Sequence, residues 1–327
     1  MSRRGWILFA IMCVVWGIPY LLIKVAVGGV SVPMVVFART ALGALMLLPL
    51  ALRAGQFRAL RPVWPWLVAF AALEMIIPWG LLSNAERQLP SSLAGLLIAA
   101  VPIIAVVIAR LTGGRDPLSL RRWAGLLIGL VGVAVLAAPH LAGGHAWPIA
   151  EVLLVAVGYA AAPLIAARKL ADVPALPMTT ACLTLAALVY TPAAILTWPH
   201  RLPSGQVLAA LAALGVICTA AAFLVFLRLI REAGPTRAMV FTYVNPAVAV
   251  AGGVLVLGEP FTVTIAAAFV LILTGCVLAT SGRAPQLGQE IQPGQLAKPD
   301  PRVQPAAAPP AAGTDPDHAA AGQPGCG

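Results

Sequence analysis

Charged residues are scarce in this sequence: Asp, Glu, Lys and Arg make up 10% of 327 residues, whereas 61% are apolar. A water-facing surface needs roughly a quarter charged residues, so the composition excludes an ordinary soluble domain. The apolar residues form long runs, each near the ~20 residues that a helix needs to cross ~30 Å of hydrocarbon. The sequence therefore predicts an all-α polytopic membrane protein.

The motifs of common enzymes are also missing. Lys24, Lys169 and Lys298 all lie outside a G-x-x-x-x-G-K-[ST] context, so ATP is not the direct driver. Neither H-E-x-x-H nor G-x-S-x-G occurs, and the histidines fall in predicted loops or in the C-terminal tail rather than within the bilayer. The five cysteines form no CxxC pair and are interpreted as small packing residues. We therefore expect no enzymatic activity, no cofactor and no bound metal.

About ten membrane spans account for the apolar runs. The first run continues to Val27 without a cleavage signal, so we interpret it as a retained helix rather than a signal peptide. Residues 283–327 are rich in Pro and Ala and are predicted to form a disordered tail. The predicted spans cover residues 6–27, 33–52, 64–82, 91–110, 121–138, 147–167, 175–196, 207–227, 236–257 and 262–281.

The basic residues indicate how these spans are oriented. Although the net charge is +10, nearly all of the 21 lysines and arginines fall on one side of the ten-span arrangement. Only Arg87 and Arg201 fall on the other side, and Lys24 and Arg39 lie within spans. The positive-inside rule therefore places both termini and the tail in the cytoplasm, and the side with Arg87 and Arg201 is the predicted outer side. This basic character orients helices in the bilayer, and we expect no binding to nucleic acid.

A faint internal repeat relates the two halves of the chain at an offset of 144 residues. Each half has five spans, an odd number, so the second half must enter the membrane from the opposite side. Two inverted repeats, residues 1–140 and 145–282, are typical of secondary transporters, although a duplication kept only for packing is the alternative. The matched pairs include Pro19 and Pro163, Pro33 and Pro177, Ala94 and Ala238, Pro102 and Pro246, and, at a shorter offset, Ala71-Ala72-Leu73 and Ala212-Ala213-Leu214.

An ordered set of residues over ten spans carries a family resemblance: Trp16-Gly17, Lys24, Pro33, Arg39, Ala94, Pro102, Trp123, Gly125, Gly129, Gly132, residues 234–238, Tyr243, Pro246, Gly258-Glu259 and Gly275. With these residues the chain resembles the EamA-type branch of the drug/metabolite transporter superfamily. It departs from that family at Gly114-Arg115-Asp116, where Gly-Glu is usual, and at Tyr159-Ala160, where Trp-Ala is common. The resemblance implies export or exchange of amino acids, metabolites or drug-like compounds by alternating access.

Ionisable groups within a membrane are costly and usually face a cavity or pair with each other. Glu74 lies about ten residues into its span, ~15 Å deep, which suits either a proton-coupling group or a structural ion pair. Arg39 is its candidate partner, or a ligand for an anionic substrate group. Lys24 either extends to the interface or reaches the cavity. We expect Glu151 near water, and Glu259 in a turn or a helix N-terminal region at the predicted outer side.

Uncharged residues complete the predicted substrate cavity, with Trp16, Tyr20, Trp79, Tyr243 and Asn245 as candidates beside core packing. Four prolines each remove a backbone hydrogen bond within a span and are predicted helix kinks: Pro19, Pro78, Pro102 and Pro246. The Gly125-x-x-x-Gly129 motif predicts close helix packing and leaves a homodimer open.

The leading hypothesis is a secondary transporter in a bacterial inner (plasma) membrane, with a small-molecule substrate, lipid around it and proton coupling through Glu74 as one option. Few lysines, many arginines and abundant alanine suggest the bacterial source. A lipid-carrier flippase, a membrane-embedded lipid-modifying enzyme and a non-transporting membrane scaffold are the alternatives. Clustered acidic pairs would favour the enzyme, and apolar anchors in the tail would favour the scaffold.

Overall fold

A computed structural model describes residues 2–111, 119–234 and 239–280 of the chain. In these ranges nine helices are long and apolar enough to span a membrane, and a tenth apolar helix is shorter. The first half contains α1 (Arg3–Val27), α2 (Val32–Ala54), α3 (Phe57–Ala85), α4 (Ser91–Leu111) and α5 (Leu120–Ala142). The second half contains α6 (Ala146–Lys169), α7 (Ala175–Leu196), α8 (Gly205–Ala233), α9 (Asn245–Leu257) and α10 (Val263–Thr280).

The all-α architecture predicted from the apolar runs is confirmed, and each predicted span corresponds to one helix. The ninth span is the least accurate, because its helix begins at Asn245 rather than at residue 236. Pro246 stands in the first turn of α9, where its missing N–H costs no helical hydrogen bond, and a separate 3₁₀ turn, Met239–Tyr243, precedes it. The departure at Gly114-Arg115-Asp116, the motif residues 235–238 and the predicted disordered tail lie outside the described residues.

Four helices are interrupted or start at a proline. The two parts of α1 are Arg3–Val15 and Pro19–Val27, and those of α4 are Ser91–Ile98 and Val101–Leu111. Pro78 occupies the first turn of the last segment of α3, as Pro246 does in α9. A proline has no N–H to donate to the preceding turn, so a break just before it leaves carbonyl groups available for other partners.

Two π-helical segments interrupt α3 and α8. They cover Ala72–Ile76 in α3 and Ala213–Ala221 in α8. Their first residues, Ala72 and Ala213, are a pair that the internal sequence repeat aligns. The repeat therefore extends to an unusual backbone conformation in the third helix of each half. Such π-helical turns are rare in proteins, and those that occur often lie at functional sites.

The halves are interlocked rather than side by side. Helix α2 packs along α7, α5 packs along α10, and the α4 and α9 segments pack on each other. Helix α6 packs against α3, and α1 packs against α8 in the matching arrangement. Each of these contacts joins one half to the other. A movement of one half against the other must therefore rearrange the packing between these helix pairs.

Glycines allow the closest of these helix pairs to form. A Cβ atom on Gly132 would lie 2.9 Å from the backbone nitrogen of Ile272, and one on Gly275 would lie 2.8 Å from the carbonyl oxygen of Gly125. Gly125 and Gly129 likewise face α10. The G-x-x-x-G motif therefore packs α5 against α10 inside one chain, as predicted for close packing, and a homodimer remains a prediction.

The cysteines of the described residues are buried free thiols, namely Cys13, Cys182, Cys218 and Cys276. Cys276 donates a hydrogen bond of 3.0 Å from Sγ to the carbonyl oxygen of Ala99, one of the residues at the break in α4. These positions agree with small side chains that fill space between helices.

Candidate functional site

The first polar group at the centre is the guanidinium of Arg39, on α2. Its side chain is only 7% exposed. Nε donates to the Thr219 hydroxyl at 3.1 Å, and Cζ lies 3.7 Å from the centre of the Trp79 ring, a cation–π contact. The pairing with Glu74 that the sequence left open is not among its described contacts.

The π segment of α8 positions the hydroxyl that holds Arg39. Thr219 donates its own hydroxyl proton to the carbonyl of Leu214, five residues earlier, at 2.8 Å. Its oxygen is therefore turned to accept from the guanidinium. Gly215 allows α2 to approach, since a Cβ atom there would lie 2.6 Å from Cβ of Leu42. Contact between the halves thus orients this arginine.

Glu74 lies in the π segment of α3 and is partly exposed. Its carboxylate is within electrostatic range of Tyr159 on α6 and of Cys182 on α7. Tyr159 and Cys182 both pack in the hydrophobic cluster that contains Trp79. Tyr159 is also within electrostatic range of Arg39, so this tyrosine lies between the surroundings of Glu74 and those of the guanidinium.

Tyr190 on α7 binds the backbone of α3 at the end of its π segment. Its hydroxyl donates to the carbonyl oxygen of Ile76 at 2.8 Å, at the end of the π segment and just before Pro78. The same ring lies over Gly80, where no side chain intervenes. This hydrogen bond joins α7 to the irregular backbone beside Glu74.

Three of the predicted cavity residues have packing partners instead. The Trp16 indole nitrogen donates to the Cys218 carbonyl at 3.2 Å, and its ring packs against three phenylalanines, Phe223, Phe226 and Phe241. Tyr243 shares a hydrogen bond of 2.6 Å with Thr280. With its amide orientation assigned from its neighbours, Asn245 donates to the carbonyls of Cys13 and Phe241 at 3.1 Å.

A second group of polar residues surrounds the turn between α3 and α4, at the predicted outer side. Lys24 neither extends to the interface nor stands free in a cavity. Its ammonium donates to the carbonyls of Glu86 at 2.7 Å and of Leu89 at 2.9 Å. The Lys24 side chain of α1 therefore stabilises the backbone of this turn.

Glu86 is a buried acid that the sequence analysis missed. Its side chain is 0% exposed, and no hydrogen-bond donor reaches either carboxylate oxygen within the described residues. Burial raises the pKa of this carboxyl well above its ordinary value, although the nearby Lys24 opposes the change. In the sequence Glu86 stands beside the exposed Arg87 in a short loop, a pattern typical of solvated charge.

Glu259, in the loop between α9 and α10, caps the N-terminus of α4. One carboxylate oxygen accepts from the Ser91 backbone N–H at 2.7 Å and from its hydroxyl at 2.9 Å, and the other accepts from the Ser92 N–H at 2.9 Å. Burial alone would raise the pKa of Glu259, but hydrogen bonds from Ser92 and Ser91 hold it below its ordinary value. Glu259 thus joins a loop of the second half to a helix of the first half.

The prediction that Glu151 lies near water is wrong. Glu151 is 4% exposed, and one of its oxygens accepts from the Asn84 side chain at 2.8 Å. The first turns of α6 pack against the last segment of α3, which covers the position that hydropathy alone assigns to the interface. Beside it opens a cavity of about 590 Å³ whose lining includes Asn84, Arg87, Ser31 and Thr197.

The comparison with known proteins agrees with this architecture. The profile of the EamA-like transporter family matches residues 3–138 and 146–281, one match for each half. This chain belongs to the EamA-like transporter family. The two matched segments together span both inverted repeats, and they include the polar residues of the centre and of the predicted outer side.

Individual relatives of this EamA-like protein are described as transporters. The uncharacterized transporter YvbV of Bacillus subtilis is 25% identical over 292 residues, covering 86% of this chain and 94% of that protein. The uncharacterized inner membrane transporter YedA of Escherichia coli K12 is 28% identical over 281 residues, covering 84% and 90%. A solved crystal structure aligns with a TM-score of 0.60 at 21% identity over 86% of this chain and 98% of that one, a likeness in fold alone. The protein is therefore a multi-pass membrane transporter.

Proposed function

We propose that this protein is a secondary transporter that moves amino acids, small metabolites or drug-like compounds by alternating access, as an exporter or exchanger. Family membership and the names of the relatives support transport in general. The observation that carries the finer proposal is Arg39. It is a buried guanidinium of which only Nε has an acceptor among the described residues, so its remaining N–H donors are suited to an anionic group of a solute.

Glu74 supplies the opposite charge, and Tyr159 is within electrostatic range of both Glu74 and Arg39. Glu74 is partly exposed and lies on α3, while Trp79 on the same helix contacts Arg39. A cation, an anion and aromatic faces together suit a zwitterionic or amine-bearing solute. Glu74 can also take up a proton at one membrane face and release it at the other, so that one proton enters as one solute leaves.

The orientation follows from the distribution of basic residues. With both termini in the cytoplasm, the loops that carry most arginines and lysines lie inside. The turn at Glu86 and the Glu259 cap then lie at the outer face. In this assignment the contacts between Glu259 and α4 hold the two halves together at the outer face.

The experiment is flux in proteoliposomes, with amino acids and cationic drugs as solutes, with and without an imposed pH gradient. Wild type is compared with Glu74→Gln, and Glu232→Gln removes an exposed carboxylate at the end of α8 as a matched control. We expect wild type and the control to respond to the gradient and the Glu74 variant to lose that response.

The outcomes separate the parts of the proposal. Flux in a folded Glu74→Gln variant that still follows the pH gradient refutes coupling through Glu74. Flux without any pH dependence in wild type indicates a facilitator or exchanger. Absence of solute flux in every condition, together with movement of a labelled lipid, would support the flippase instead.

A further inference from the structure

The turn between α3 and α4, at the predicted outer side, contains a fully buried acid, Glu86. Neither oxygen of Glu86 has a hydrogen-bond partner within the described residues, and the side chain has no exposed area. An ionised carboxylate in such a place is expensive, whereas a neutral carboxyl group is tolerated. Burial without a hydrogen-bond partner therefore favours the protonated form of Glu86 while this turn is buried.

The groups that face Glu86 offset a negative charge only in part. Lys24 on α1 opposes the effect of burial, but its ammonium already donates to two backbone carbonyls of the turn. Glu259 approaches from the α9–α10 loop with the same sign as an ionised Glu86. The other titratable groups within electrostatic range are Tyr20 on α1, Arg39 on α2 and Tyr159 on α6.

Both halves of the chain fasten this turn from the predicted outer side. Lys24 holds the carbonyls of residues 86 and 89 from within the first half, and Glu259 of the second half caps α4 at Ser91 and Ser92. Ser31 and Thr197 share a hydrogen bond of 2.7 Å between α2 and α7 at the same side. Opening this side must separate such contacts and admit water to the turn.

We propose that Glu86 is a proton-binding site that links the outer side to pH: it holds a proton while that side is closed and releases it to the exterior when that side opens. This rests on the alternating access proposed above. It assigns to Glu86 a proton distinct from any carried by Glu74. No covalent bond other than the carboxyl O–H forms or breaks, and water accepts the proton.

The linkage has a definite sign. Water entering the open turn returns the Glu86 carboxyl toward its ordinary affinity for protons, so the closed state binds the proton more tightly than the open state. Between the two affinities, the ratio of open to closed molecules rises about tenfold for each unit of increasing pH. Low pH closes the outer side, and higher pH opens it.

Distances between spin labels test this linkage without any transport measurement. Gln88 in the first half and Gln206 in the second half are both exposed at the predicted outer side, and cysteines at these two positions accept the labels. The protein is reconstituted in nanodiscs, with Cys326→Ser to limit labelling elsewhere, and the distance distribution is recorded from acidic to alkaline pH. Glu86→Gln supplies a permanently neutral side chain of the same size.

A second buried acid provides the matched control. Glu151 also has one carboxylate oxygen without a partner within the described residues, at the same side of the molecule. We expect wild type and Glu151→Gln to show a longer distance whose population increases with pH, and Glu86→Gln to stay closed at every pH. Glu86→Asp, which restores an acid, is expected to restore the pH response.

Three results would overturn the inference. The first is an unchanged pH response in Glu86→Gln, and the second is loss of the response in Glu151→Gln alone. The third is a single distance at all pH values in wild type, which would also remove the evidence for alternating access. By contrast, a pH-dependent opening that needs Glu86, in a protein that moves no solute, would sustain this inference and refute the proposed transport.

Discussion

Replacing Glu259 with glutamine should open the predicted outer side, and the structure gives the size of the effect. The carboxylate accepts three hydrogen bonds, two of them from the first N–H groups of α4. A glutamine retains one accepting oxygen but turns an amide N–H₂ toward the second donor. Loss of a helix cap costs about 0.5–2 kcal/mol, and loss of the negative charge at a helix N-terminus costs about 0.3–1 kcal/mol.

We take a combined effect of about 1–2 kcal/mol, because Glu259 is only half-buried and solvent screens part of the charge. If the cap is lost on opening, the ratio of open to closed molecules rises roughly 5- to 30-fold at neutral pH. The spin-label pair at Gln88 and Gln206 measures this ratio directly. Asp172→Asn, an exposed carboxylate in the turn after α6, serves as the control and is expected to leave it unchanged.

The pH dependence of this cap runs opposite to that of Glu86. Because the pKa of Glu259 is lowered in the closed structure, its stabilisation is present above the ordinary carboxyl pKa and is lost as pH falls through the lowered value. Wild type and Glu259→Gln should therefore converge in strong acid. Equal open fractions for the two proteins at pH 7 would refute the idea that this cap holds the outer side closed.

Three further substitutions test the surroundings of Arg39, the contact of Tyr190 with α3, and the packing of α5 against α10. Arg39→Lys keeps the charge but loses the Thr219 hydrogen bond and the planar contact with Trp79, so we expect at least a tenfold loss of solute flux with retained folding; unchanged flux would contradict a solute role. Tyr190→Phe removes the hydrogen bond to the Ile76 carbonyl and should lower stability by about 0.5–1.5 kcal/mol in thermal unfolding, whereas an unchanged midpoint would show that this bond contributes nothing. Gly275→Val would force α10 away from α5, and we expect little folded protein in a size-exclusion profile; a normal profile would show that this seam can relax.

Local patterns in the sequence were enough to predict the membrane spans. Hydropathy and helix length are properties of contiguous residues, so ten runs of apolar residues predict ten helices whatever their packing. The internal repeat was also visible, because prolines such as Pro102 and Pro246 keep their spacing while apolar residues exchange freely. Its alignment of Ala72 with Ala213 coincides with the start of both π segments.

The candidate site was only partly visible. Arg39, Glu74 and Trp79 were predicted because a charged or aromatic group within an apolar run stands out, and their role in a site stays a prediction. Thr219 was missed because nothing in its own segment distinguishes it from packing residues, and Tyr159 was noted only as a departure from the family pattern. Their contribution depends on contact with helices about 85 to 180 residues away, such as the hydrogen bond between Thr219 and Arg39.

The sequence by itself determined the helices, their inverted arrangement and the family, since these follow from the period and spacing of residue types along the chain. The tertiary structure alone decided which charged side chains have hydrogen-bond partners, which of them cap a helix, and which have no partner within the described residues. Glu86, Glu151 and Glu259 are all carboxylates near helix ends, yet one has no partner within the described residues, one accepts from Asn84, and one caps α4. The energy of a charge depends on the atoms within a few ångströms of it, and distant segments of the chain supply those atoms.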